Sequence, residues 1–217
     1  MKETVKTSRT AGYLEKIFRV LNEYYFGGKI EEPIITIQSS PRAYGHVTVA
    51  KSWAKGTDGD RRHELNLGAG TLGRPVENVV ATMLHEMVHL YNIQTGVKDT
   101  SRGGMYHNKR FRDTAETVDL QVGYHPAYGW TITEPTEPLI DFIVSQGWED
   151  IKMSRDDGYT AVGIGGKGTS GGINPKPPRK PSSTRKYICP CCGNSFRATK
   201  NLNVLCLDCG KQFVIDE

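Results

Sequence analysis

Over residues 13–26 apolar side chains recur at spacings of three and four. Leu14, Ile17, Phe18, Leu21 and Tyr25 line one side of an amphipathic helix that stops at Gly27-Gly28. The period then shortens. Residues 34–38 (IITIQ), 44–50 (YGHVTVA) and 63–67 (HELNL) predict three short strands, divided by Pro41 and by the polar loop 54–62, and expected to lie in one antiparallel sheet. Over residues 75–96 the helical period returns, in two interleaved series. Val80, Leu84, Val88 and Tyr91 form one, and Val79, Met83, Met87 and Leu90 the other, so the helix is apolar around most of its circumference and belongs inside the protein. Pro75 suits its first position, Glu77 the positive end of its dipole, and Gly96 a left-handed residue just past its end.

Residues 97–106 are too polar and glycine-rich for a regular element. A second amphipathic helix is predicted over about 108–120, with Phe111, Ala115, Val118 and Leu120 on its apolar side and His107 at its entrance. Beyond it lie His125-Pro126 and two Glu-Pro steps, then an apolar run over 139–144 that ends at Gly147 and predicts a short closing helix. Tyr124, Tyr128 and Trp130 read as packing aromatics.

The buried helix carries the candidate chemistry. His85 and His89 are four apart, hence on one face about one turn from each other, where two imidazoles can address one ion; Glu86 stands beside them. Two imidazoles suit Zn2+, and a carboxylate next to an open coordination position can take a proton from water. A zinc hydrolase is therefore expected, with Glu86 catalytic. The third ligand is either His107, brought over the metal as the second helix packs on the first, or Glu116 from that helix. A metzincin is excluded, because Asn92 and Thr95 stand where it requires glycine and histidine. His46, His63 and His125 are expected to be structural.

Composition adds a second unit. With 37% hydrophobic and 24% charged residues the chain describes a soluble globular protein; no segment approaches a membrane span, and the polar N-terminus lacks the apolar core of a signal peptide, so a cytoplasmic location is expected. From Ser154 to Lys186 the composition turns to Gly, Ser, Pro, Lys and Arg, as in a flexible linker. Charge divides with it: residues 1–157 carry 19 basic and 21 acidic side chains, residues 158–217 carry 9 and 3. The basic tail is where an anionic partner, DNA or RNA, is expected to bind. All five cysteines fall between Cys189 and Cys209. The repeated register CxxCG pairs Cys189 with Cys192 and Cys206 with Cys209, which is the spacing of a zinc ribbon and leaves Cys191 a bystander. A unit this small has too little core to fold without its metal.

The run His85-Glu86-Met87-Val88-His89-Leu90-Tyr91, followed by Asp99-Thr100-Ser101-Arg102-Gly103-Gly104-Met105-Tyr106-His107-Asn108-Lys109-Arg110-Phe111, resembles the SprT-like zinc metallopeptidases of bacteria and their mobile elements. The likeness covers residues 13 to about 123 and resumes at the cysteines. It implies that the third ligand is the histidine at position 107, and related eukaryotic proteases cut proteins crosslinked to DNA. The expected architecture is an α+β zincin-like metallopeptidase domain over 1–150, with helices and a small antiparallel sheet, then a basic linker over 151–186 and a small β zinc ribbon over 187–217. The expected function is a zinc-dependent endopeptidase with one catalytic and one structural Zn2+, acting on a protein substrate, with single-stranded or non-specific DNA as partner of the tail. The competing expectation is a nucleic-acid-binding adaptor whose protease domain is vestigial; the intact Glu86 argues against it.

Overall fold

The computed structural model describes residues 7–40, 43–55, 59–155 and 185–215. The first helix, α1 (Thr7–Phe26), begins earlier than its apolar period predicts. Tertiary contacts hold its polar first turns: Thr10 is buried beside the Met153 sulfur at 3.9 Å, and the Tyr13 hydroxyl accepts from the Glu149 amide at 2.8 Å. Propensity alone would not extend the helix through this stretch.

Strands β1 (Ile34–Gln38), β2 (Gly45–Val47) and β5 (Glu64–Gly68) form a sheet in the order β1-β5-β2. The single antiparallel sheet expected from the sequence is in fact mixed, since β5 runs parallel to β1, with Ile35 opposite Leu65, and antiparallel to β2, with His46 opposite Asn66. The chain crosses to the far edge as β2 before returning between the two as β5. A central strand is covered on both faces, and Leu65, Asn66, Leu67 and Gly68 are all buried, as a central position demands. The polar stretch between β2 and β5, expected to be loop, contains the hairpin β3 (Trp53–Lys55) and β4 (Asp60–Arg62). It has no apolar period to betray it; ion pairs from Arg62 to Asp60 and Glu31, both 2.7 Å, fasten it instead.

At the centre lies α2 (Val76–Gln94), preceded by a short 3-10 turn (Ala69–Thr71). Pro75 caps the helix rather than filling its first position, and Asp150 accepts the Val76 amide at 2.8 Å. Gly96 closes it with φ +74°, as expected for the left-handed terminus. Met83, Leu84, Met87, Val88 and Leu90 are completely buried against Leu14, Phe18, Leu65 and Phe111. Each such side chain contributes roughly 1.5–3 kcal/mol of burial.

His107 does not enter a helix. It ends β7 (Tyr106–His107), which pairs with β6 (Thr100–Ser101) and with β9 (Gly129–Pro135), while β8 (Leu120–His125) completes a sheet in the order β6-β7-β9-β8. The helix that follows, α3 (Lys109–Glu116), is shorter than predicted; the Asn108 side chain caps it by accepting from the Arg110 amide at 2.8 Å. Val118 and Leu120 are buried, but from beyond its end. The closing helix α4 (Glu137–Ser145) is where the apolar run predicts it.

In the tail, β10 (Arg185–Ile188) pairs with β11 (Ser195–Ala198) and with β12 (Val214–Ile215). Its core is aromatic: Tyr187 stacks on Phe196 at 4.9 Å, and Phe213 meets Phe196 edge-on at 4.9 Å. Most of the expected linker lies outside the described residues. No helix among the described residues is long and apolar enough to cross a membrane.

Candidate metal centres

His85 and His89 project from one face of α2, and β7 brings His107 opposite them. The Nε2 atom of His107 lies 3.2 Å from that of His85 and 3.0 Å from that of His89. Neutral imidazole has one donor and one acceptor nitrogen, so the outer nitrogens decide which inner ones carry lone pairs. His89 Nδ1 faces Asp99 Oδ2 at 2.7 Å and His85 Nδ1 faces the Thr133 hydroxyl at 3.1 Å. A proton on each Nδ1 satisfies these partners and turns both Nε2 lone pairs inward. Burial first, and then the neighbouring imidazoles, hold His85 well below the ordinary histidine range; burial likewise brings His107 down to about 4. Three imidazoles aimed at one point is the donor set that zinc takes, and Zn–N bonds of about 2.0–2.1 Å would space the nitrogens roughly 3.3 Å apart. The residues present fit the ion.

Behind the cluster Asp99 is itself held. Asn92 Nδ2 donates to the same carboxylate oxygen at 3.1 Å, and Thr114 donates to Asn92 Oδ1 at 3.2 Å. Phe111 floors the site, its ring 4.6–4.7 Å from all three imidazoles. Asp99, Thr133 and Phe111 were not singled out as site residues from the sequence. Asp99 sits in a stretch with no period, and Thr133 lies on a strand that the sequence did not predict.

Gly129 fixes the height of His107. It has φ +74°, and a Cβ placed on it would fall 2.0 Å from the His107 carbonyl oxygen and 2.9 Å from the Tyr106 ring. No side chain fits there.

Glu86 is buried beside the histidines, and burial raises its carboxyl to about 7. Its neighbour across the gap is the bare backbone of β2. A Cβ on Gly45 would stand 3.2 Å from both Cγ and Oε1 of Glu86, and 2.8 Å from the Asn66 carbonyl. Glu116, the other sequence candidate for third ligand, is outside the cluster and reaches towards Arg112 at 3.9 Å. His63 faces the Thr48 carbonyl at 2.9 Å, His46 lies 3.4 Å from the Ser40 hydroxyl, and His125 accepts from the Ala127 amide at 3.1 Å; none joins the cluster.

A second cluster unites Cys189, Cys192, Cys206 and Cys209, whose sulfurs all lie within 4.8 Å of one another. Two matched turns build it. Gly193 donates to the Cys189 carbonyl at 3.0 Å with φ +75°, and Gly210 donates to that of Cys206 at 2.7 Å with φ +62°. The Cys192 and Cys206 sulfurs are 3.7 Å apart, close to the spacing of about 3.8 Å set by Zn–S bonds near 2.3 Å. A hydrogen bond from the Cys192 backbone, foremost, lowers the Cys189 thiol to about 7, towards the thiolate that a metal requires. Cys191 is exposed and outside the group. Two of the tail's cations face carboxylates: Arg197 pairs with Asp150, and Lys200 lies 3.7 Å from Glu137.

No curated protein and no solved structure matches this chain. One family comparison does, over residues 14–129, a span that holds the three histidines, Glu86 and the sheet behind them. With more than half of the 217 residues matched, the chain belongs to the SprT-like family, which points to a metallopeptidase-like domain.

Proposed function

We propose that this protein is a zinc-dependent endopeptidase of zincin-like architecture. The observation that carries the proposal is the convergence of three imidazole nitrogens beside a buried carboxylate one residue from the first of them. His85, His89 and His107 would hold the zinc, which when bound would supply Lewis acidity towards water and towards a peptide carbonyl. The remaining work falls to the chain. Asp99 and Thr133 keep His89 and His85 in the tautomer and orientation that present Nε2. Glu86, raised to about 7 by burial, can take a proton from the attacking water and return it to the leaving nitrogen near neutral pH. On its outer side β2 is a sheet edge with no partner strand among the described residues, so an extended peptide could pair there and bring its carbonyl past Glu86.

The four-cysteine cluster would hold a structural zinc, and the cations of the tail would bind DNA through its phosphates, without sequence preference. The test is cleavage of an unfolded or DNA-bound protein by the zinc-loaded full chain and by Glu86→Gln, with and without single-stranded DNA. Proteolysis abolished by the substitution supports the reading; proteolysis unaffected by it refutes the assignment of Glu86, and no proteolysis by the zinc-loaded wild type refutes the activity.

A further inference from the structure

Arg74 lies just before the N-terminal end of α2. Its Nε donates to the Thr71 carbonyl at 2.9 Å and its Nη2 to the Thr82 hydroxyl at 2.9 Å, while the guanidinium lies over the Tyr44 ring at 4.1 Å. Thr82 precedes Glu86 by one turn on the same face of α2, and Tyr44 directly precedes Gly45, where an added Cβ would stand 3.2 Å from Glu86. These contacts hold the guanidinium at the Thr82 turn of α2, one helical turn before Glu86.

Among the described residues its charge is unanswered. Arg19, Arg62, Arg112 and Arg197 each pair with a carboxylate, whereas Arg74 has none within ion-pair distance among the described residues. Nη1 has no acceptor among them either. Burial lowers the Arg74 pKa to about 10, so the group remains a cation at neutral pH in a place that disfavours one. The turn at Thr71 and the stacking on Tyr44 fix the plane of the guanidinium and, among the described residues, leave one edge without a partner. A fixed fork with a free edge is suited to a carboxylate, which it can meet with two parallel hydrogen bonds.

We propose that Arg74 and Tyr44 form a subsite for an acidic side chain of the peptide substrate. The proposal rests on the peptidase reading above and names the substrate feature which that site selects. An extended peptide along β2 advances about 3.3 Å per residue, so the selected Asp or Glu would lie roughly two or three residues from the bond that is cut. A nucleic-acid phosphate is the poorer fit: backbone binding needs a track of cations with stacking surfaces, and here a single guanidinium is recessed beside a single ring.

The experiment uses the full zinc-loaded chain and a peptide series in which Asp, Asn or Ala occupies each position around the cleaved bond. Wild type should show, at one position, a KM about tenfold lower for Asp than for Asn, with kcat little changed and the preference shrinking as salt rises. Arg74→Gln should erase the ratio and Arg74→Lys should keep part of it. Equilibrium binding of the same peptides to Glu86→Gln removes the dependence on turnover. An Asp preference in binding without cleavage by wild type would sink the peptidase reading and leave the subsite standing. Equal affinities for Asp and Asn at every position in wild type would sink the subsite even if cleavage is robust. Failure of every peptide to bind would sink both, and weaker oligonucleotide binding in Arg74→Gln with unchanged peptide preference would reassign the group to nucleic acid.

Discussion

Gly129 lies directly beneath His107: their paired positions in β9 and β7 leave less than a Cβ's clearance, 2.0 Å, to the His107 carbonyl. The third histidine therefore owes its height above α2 to a glycine on another strand. Gly129→Ala should push β7 away, separate His107 from His85 and His89, and reduce bound zinc from two ions per chain to one. Metal analysis with thermal unfolding checks this. Two zincs in a well-folded variant would show that the strands yield without disturbing the imidazoles.

Glu86→Gln keeps the shape of the side chain and removes its basicity. Turnover should fall at least about 10²-fold, while both metals remain. Stoichiometry measured beside the rate separates this from a collapsed site.

Asp99 should act through His89. With Asp99→Ala, the imidazole loses the carboxylate at 2.7 Å and Asn92 loses its acceptor, so zinc affinity at the histidine site should drop by about 10–100-fold while the cysteine site is unaffected. Competition with a chelator reads both sites, and an unchanged histidine-site affinity would mean that Asp99 serves only the loop.

A stability prediction concerns Asp119, which has φ +58° and accepts the Tyr25 hydroxyl at 3.0 Å, while its carbonyl takes the Thr136 hydroxyl at 2.7 Å. Burial, then this carboxylate, pushes the Tyr25 phenol above its usual range. Asp119→Ala combines a left-handed residue without local support and a lost hydrogen bond, and should cost about 2 kcal/mol in denaturant unfolding. Asp119→Asn, which tolerates that backbone and still accepts, should cost less than half as much.

Removing residues 158–217 takes away nine basic and three acidic side chains but leaves the histidine cluster whole. Binding of labelled single-stranded DNA should be lost, together with its steep dependence on salt, while one zinc remains. Equal binding by the full and shortened chains at two salt concentrations would remove the tail from the interaction.

The parts of this fold that were legible in the sequence are those whose signal is contained in one element. Val79, Met83, Met87 and Leu90 announce a buried helix because all lie within three turns, and His85, Glu86 and His89 inherit their geometry from it. The cysteine register is equally local. What escaped depends on pairing between distant segments. β6 and β7 have two residues each, too few for a period, so His107 was expected to enter a helix when it is held by β9 instead. The alternation in Leu120, Gln121 and Val122 is short and runs straight on from the helical period before it. Direction in the first sheet was hidden for a related reason: consecutive strands suggest hairpins, but β5 is buried on both faces and inserts between β1 and β2. Asp99 and Thr133 meet the histidines only after the chain has folded back on itself.

The contact between Gly45 and Glu86 has a dynamic consequence. Gly45 presents only backbone to the carboxylate, and a Cβ there would stand 3.2 Å from it, so β2 lies close over Glu86. Any excursion that loosens the edge of the sheet therefore uncovers the carboxylate to water, and any event that presses the strand home shuts it in again. Amide exchange in the three residues of β2 should therefore rise and fall with the solvent exposure of Glu86, without any label placed at the site.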